Sequence, residues 1–245
     1  MSDVLHRDGA CLDALTAAGR KAALDFLHGL PGRPAAVRPQ PSVPLALPEG
    51  GIGGLGALDL FRRRCEAQLS GSAGPRYLGF VTGGTTPAAL IGDWLAATYD
   101  QCVTNDGDSV ATSVERECLD MLRALFGLPE SFAGAFVSGA TQANLVALAT
   151  ARQWVGQRLG VDTAQEGVRA LPQVPVLSAA PHASIYKALS SLGLGRSSVR
   201  LIDSLPGRVA VDPAALDSAL STLAGTPSIV VASAGEVNTA DFDDL

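Results

Sequence analysis

The sequence predicts an α/β protein with a mostly parallel sheet and flanking helices. Three observations carry this. From Gly134 onward, short apolar runs alternate with longer helical patterns, the order of βαβ units. The run Ser228-Ile229-Val230-Val231-Ala232-Ser233 is apolar through its middle, as a strand covered on both faces reads. Composition is globular: 245 residues, 47% hydrophobic and 17% charged, are enough for a sizeable core.

The elements follow in order. Over residues 9–30, Leu12, Leu15, Ala18, Ala22 and Phe26 recur at spacings of three and four, predicting an amphipathic helix. Pro31, Pro34, Pro39, Pro41, Pro44 and Pro48 then forbid both helix and central strand, so residues 31–50 are an extended arm. An arm of this kind buries little alone and is expected to lie on its own body or on a second subunit. A glycine cluster, Gly50 to Gly56, precedes a helix expected over residues 57–69. Further helices are expected over 87–99, opened by Pro87 at its first turn, and over 109–126. Beyond these, strands are expected at 135–137, 174–178, 198–202 and 228–233. Helices are expected at 140–158, 182–193 and 212–223, the last capped by Asp212 before Pro213. The chain divides into an arm with helices, residues 1–75, and a large-domain part, residues 76–245.

Charge and composition exclude several function classes. A net charge of -6 argues against nucleic acid as a partner, since phosphate backbones need clustered cations. No apolar run is long enough to span a membrane, and the charged residues of the first thirty positions do not form a signal peptide. Cys11, Cys65, Cys102 and Cys118 lie far apart and none neighbours a histidine. No metal site or disulfide framework is expected, and a reducing cytoplasm is the expected setting.

Two positions stand out chemically. At Ser138-Gly139-Ala140-Thr141 an expected strand ends and a helix begins at once. The free N–H groups and positive end of such a helix suit a phosphate, with the Thr141 hydroxyl as a further donor; a plain capped junction is the bland alternative. His182 follows another expected strand, and the carboxyl ends of parallel strands share one edge, where ligands bind. Its alternative is a helix cap. Two formal motif matches carry less. Gly51, Gly53 and Gly56 fit a dinucleotide fingerprint but follow a proline arm rather than a strand. Ser184 and Lys187 fit S-x-x-K without its companion motifs.

Together these segments resemble the group II pyridoxal-phosphate-dependent amino-acid decarboxylases. The resemblance is carried by Ser138-Gly139-Ala140-Thr141-Gln142-Ala143-Asn144-Leu145, by His182-Ala183-Ser184 with Lys187-Ala188, and by Ala234-Gly235-Glu236-Val237-Asn238-Thr239-Ala240-Asp241-Phe242-Asp243. Leu78-Gly79-Phe80-Val81-Thr82-Gly83-Gly84 with Pro87 also fits. The match runs in register from about residue 47 to the end. One small departure is Ala240, where the family usually has glycine.

The resemblance implies the large domain of the fold-type-I, aspartate-aminotransferase-like architecture, incomplete at its C-terminus. It implies pyridoxal 5'-phosphate as cofactor, an amino acid as substrate, a homodimer, and loss of carbon dioxide as the reaction. Gly139, Ala140 and Thr141 would hold the phosphate. His182 would stack on the ring as the catalytic contact, and Asn238 and Thr239 would lie near its polar edge. The family's aspartate for the ring nitrogen and its Schiff-base lysine are expected beyond Asp243. Lys21 and Lys187, the lysines present, are outside that context. The chain alone is therefore expected to bind cofactor weakly and not to turn over. The alternatives are another reaction on this fold, such as an aminotransferase or lyase, and a non-catalytic homologue that serves only in assembly.

Overall fold

The computed structural model describes residues 3–41, 43–47, 49–102 and 107–244; Pro48 of the expected arm lies outside them. The chain forms two compact units, Met1–Asp100 and Gln101–Leu245.

In the first unit, helix α1 (Asp3–Ala10) is followed after Cys11 by α2 (Leu12–Gly29). The apolar repeat of residues 9–30 is thus helical, with a break at Cys11 and an earlier start. Helix α3 (Gly53–Arg64) begins inside the glycine cluster rather than at Ala57. Tertiary contacts explain the shift. Both Asp8 carboxylate oxygens accept the Gly54 N–H, at 3.0 and 2.9 Å, supplying the acceptor that the helix start lacks locally. Gly54 also lies so close to α2 that a β-carbon there would sit 2.7 Å from Leu15 Cδ2. Close approach of the helices offsets the poor helix propensity of glycine.

Among its described residues the proline arm is without helix or strand after Gly32 and lies on its own body. Gly71 N–H donates to Pro34 O at 2.9 Å, Val37 N–H to Ser70 Oγ at 3.0 Å, and Gln40 N–H to Gln68 Oε1 at 2.7 Å. Arg76 donates to the carbonyls of Pro31 and Arg33. Helix α4 (Pro87–Tyr99) has its expected bounds: the Thr86 hydroxyl accepts from Ala89 N–H and Pro87 occupies the first turn.

In the second unit, α5 (Ala111–Leu125) precedes α6 (Ala140–Arg158). The strand expected at 135–137 is absent. A strand needs a ladder partner, and this segment finds none among the described residues. Its Phe136 N–H meets the Glu115 carboxylate at 3.4 Å instead. The short helix α7 (Thr163–Glu166) leads to β1 (Val176–Ser178), α8 (Ala183–Ser191), β2 (Val199–Leu201), α9 (Pro213–Thr222) and β3 (Ile229–Val230). The three strands form a parallel sheet in the order β2-β1-β3, with Val176 opposite both Val199 and Ile229. The core is Leu148 and Val155 of α6, Val174, Val176, the inner face of α8 (Ile185, Ala188, Leu189) and Ile229. Parallel βαβ order with helices on the sheet is what the alternating pattern predicts.

Candidate functional site

The site lies at the carboxyl edge of the sheet and at the start of α6. Gly139 is the residue before α6, in extended backbone at φ 163°, and no side chain caps the helix. Ala143 N–H is the first to find an intrahelical acceptor, Gly139 O at 3.0 Å. The N–H groups of Ala140, Thr141 and Gln142 have no acceptor among the described residues. Nothing lies within 4 Å of where a Gly139 β-carbon would be, and residues 138–142 are exposed. A 19-residue helix thus presents three free donors and its positive end to an open face.

His182 caps α8: its Nδ1 accepts the Ser184 N–H at 3.2 Å. Ser184 Oγ lies 2.8 Å from the same nitrogen, and Asn144 Nδ2 donates to that hydroxyl at 2.8 Å. Ser184 is buried, whereas the His182 side chain is exposed. The relay Asn144–Ser184–His182 therefore ties the first turns of α6 to the imidazole. The sequence pattern places both positions at one sheet edge through a strand at 135–137; that strand is absent, and the relay is what joins them. Asn144 and Ser184 stood inside the motifs, but no local signal marks a contact forty residues apart.

Asn238 and Thr239 lie on the loop after β3. Their bonds close on Glu236, whose carboxylate accepts both backbone N–H groups, at 2.8 and 2.9 Å, and both side chains. Those bonds, the one from Thr239 N–H first, hold the Glu236 carboxyl below its usual range. Among the described residues no hydrogen bond joins Asn238 or Thr239 to His182 or to the α6 turn. The loop is anchored to the sheet edge. Ser178 Oγ, at the end of β1, donates to Val231 O at 2.7 Å, and Ser233 Oγ to Ala180 O at 3.4 Å. Asp243, buried, accepts Ser233 N–H at 2.6 Å and Val211 N–H at 2.7 Å. Beside it, Asp241 receives Arg208 and the N–H groups of Val209 and Ala210. The Arg208 guanidinium is the largest cause of a carboxyl pulled down to about 2. No local sequence signal marks either aspartate's part in pinning the loop.

Chemically, the site offers an anion cradle of backbone N–H groups, a flat imidazole held at a fixed nitrogen, and a polar loop. Both parts of a phosphorylated flat ring find a counterpart here: the free donors match a phosphate, and the exposed imidazole matches an aromatic face. Among the described residues no cluster of His, Cys, Asp and Glu could hold a metal ion. No helix among them is long and apolar enough to cross a membrane.

Comparison with known proteins bears on this geometry. The model of the pyridoxal-dependent decarboxylase conserved domain matches residues 60–245. The chain is 28% identical over 204 residues to an aromatic-L-amino-acid decarboxylase of Bacillus atrophaeus, covering 82% of this chain and 40% of that protein. It is 34% identical over 163 residues to an L-2,4-diaminobutyrate decarboxylase of Rhizobium meliloti, covering 65% of this chain and 30% of the relative. A cysteine sulfinic acid decarboxylase of Mus musculus is 32% identical over 175 residues, covering 70% and 34%. The crystal structure of mouse CSAD in apo form superposes with a TM-score of 0.81 at 26% identity, over 97% of this chain and 51% of that one. Oryza sativa TDC with PLP and tryptamine gives 0.82 at 22% identity, which shows a shared fold. The chain thus spans well under half the length of these curated relatives and about half of the solved chains.

Proposed function

Because the chain belongs to the pyridoxal-dependent decarboxylase family, we propose that it supplies the phosphate- and ring-holding part of a pyridoxal 5'-phosphate site in an amino-acid carboxy-lyase. One observation carries the reading: the relay from the open start of α6 through Asn144 and Ser184 to His182. It couples an anion cradle to an aromatic surface, the two non-covalent contacts that a phosphorylated pyridine needs.

The residues divide the work. Gly139, Ala140 and Thr141 bind the phosphate, through the free N–H groups that begin at Ala140 and through the Thr141 hydroxyl, with Gly139 leaving the approach open. His182 lies on the ring, and Asn238 and Thr239 face its polar edge, with Glu236 holding their loop in shape. When bound, the cofactor supplies an electron sink for the pair left on the α-carbon as carbon dioxide departs. In these 245 residues Lys21 is tied to Asp25 at 2.8 Å and Lys187 lies exposed on α8, so neither is assigned a covalent role. The proposal extends to a homodimer, in which residues 1–75 serve as arm and contact helices and residues 76–245 as the cofactor domain, and to a cytoplasmic setting.

Equilibrium dialysis of the chain with pyridoxal 5'-phosphate tests the reading. Saturable binding is expected, competed by inorganic phosphate and lost in Thr141→Asp, which puts negative charge where the phosphate lies. His182→Ala should weaken binding about tenfold, as loss of an aromatic contact does. The chain alone should release no carbon dioxide from any amino acid. Binding untouched by Thr141→Asp would sink the assignment of the cradle, and amino-group transfer by the protein that carries this chain would replace the decarboxylase reading.

A further inference from the structure

We infer that Asn144 and Ser184 are positioning residues that hold the His182 imidazole as its Nε2-protonated tautomer, fixed against the start of α8. The purpose assigned to them, a rigid surface for the cofactor ring, rests on the reading above; the tautomer itself does not.

The hydrogen-bond donors run in one direction, towards Nδ1. A ring nitrogen that accepts a backbone N–H has its lone pair aimed at that donor and carries no proton itself. Ser184 N–H donates to Nδ1 at 3.2 Å, so the proton of the neutral ring is on Nε2. Ser184 Oγ, 2.8 Å from Nδ1, can then approach only as a donor, and its one proton points at the ring. The hydroxyl oxygen keeps its lone pairs for Asn144 Nδ2–H, also at 2.8 Å. Every group in the chain donates forward, and Nδ1 receives twice.

The other tautomer would set the Nδ1–H and Ser184 N–H dipoles face to face and reverse the Ser184 hydroxyl into an acceptor, leaving the Ser184 N–H and O–H protons without a partner. The net loss of one hydrogen bond is worth about fivefold in a population. Ser184 is 3% exposed, so water does not take up the stranded donors. Asn144 is one turn into α6, while His182 begins α8. The same bonds that select the tautomer therefore hold the imidazole in register with the donors of residues 140–142. A ring that cannot swing offers a preformed surface and lowers the ordering cost of binding.

Imidazole nitrogen–proton correlation spectra of the full chain, labelled with nitrogen-15 histidine and recorded where the rings are neutral, read this directly. His182 is told from His6 and His28 by the signal lost in His182→Gln. The wild-type chain should show His182 in the Nε2-protonated form alone, with no cofactor added. Asn144→Asp replaces a donor by an acceptor on a half-exposed position of α6. It should draw the Ser184 proton off Nδ1 and raise the other tautomer by about fivefold or more. Ser184→Ala should do the same and raise the pyridoxal phosphate dissociation constant about fivefold, and Ser184→Thr, which keeps the hydroxyl, should restore both. A mixed tautomer in the wild type, or spectra unchanged in both Asn144→Asp and Ser184→Ala, overturns the inference. A single tautomer that responds as stated in a chain that takes up no pyridoxal phosphate upholds the positioning pair and overturns the cofactor reading instead.

Discussion

Ala240 sits at φ 53°, in the left-handed region, with its N–H donating to Glu236 O at 2.7 Å. A β-carbon in that region crowds the following carbonyl, which glycine avoids. The glycine of the resembled family at this position is thus a backbone requirement, and alanine meets it under strain. Ala240→Gly should stabilise the loop by about 0.5–1 kcal/mol, the relief being partly offset by a freer unfolded chain; urea unfolding of the two chains measures it. One residue on, Asp241 carries a pH signature. Its carboxyl falls from the usual 3.8 to about 2, with Arg208 the first cause. A depressed carboxyl contributes stability that is present in full above pH 3.8 and lost as the pH falls towards 2. Hydrogen exchange at the Val209 and Ala210 amides should therefore quicken across that window, and Asp241→Asn should quicken it at neutral pH and flatten the acid transition.

At the scale of elements, α6 shows how a helix end is made. Val161 N–H donates back to Gly156 O at 2.8 Å, and Gly160 turns the chain at φ 73°. A β-carbon on Gly156 would meet Val161 O at 2.7 Å and Thr163 Cγ2 at 2.9 Å, the first a backbone atom that cannot step aside. Gly156→Ala, which helix propensity alone would favour, should instead destabilise the second unit by about 1–3 kcal/mol in thermal or urea melts. The same contrast separates what was legible in the sequence from what was not. Bounds set by local chemistry were legible: Thr86 and Pro87 open α4, Asp212 and Pro213 open α9, and small residues open α6 at Ala140. Bounds set by distant partners were not. Asp8 starts α3 four residues early, and Phe136 lacks the neighbour that would make its segment a strand. The site divides likewise, since the turn at 139–141 and His182 are local motifs, while Asn144–Ser184 is a contact between helices.

The whole molecule leaves apolar surface that these residues do not cover. No residue of α4 is buried, although the helix is mostly apolar: Ile91 is 49% exposed, Leu95 43% and Tyr99 61%, and Trp94 is also open. The preceding segment adds Leu78, Phe80 and Val81, each more than 80% exposed. Soluble monomers seldom keep contiguous apolar patches beyond a few hundred Å². The net charge of -6 does not protect this face, since within 87–99 only Asp93 is charged. A second copy of the chain is the occupant that the proposed homodimer provides, and a stable dimer needs about 800 Å² from each partner, within reach of a helix and its neighbouring segment. Sedimentation should accordingly give a weight-average mass above the 25.0 kDa of one chain, rising with concentration. Ile91→Glu with Leu95→Glu would bury two unpaired carboxylates in such an interface, which weakens association tenfold or more. Because neither side chain is buried in the single chain, the double variant should keep its secondary structure and sediment as a monomer. A wild-type chain that stays monomeric at every concentration, or a variant that associates as before, would show that copies of this chain do not meet through α4.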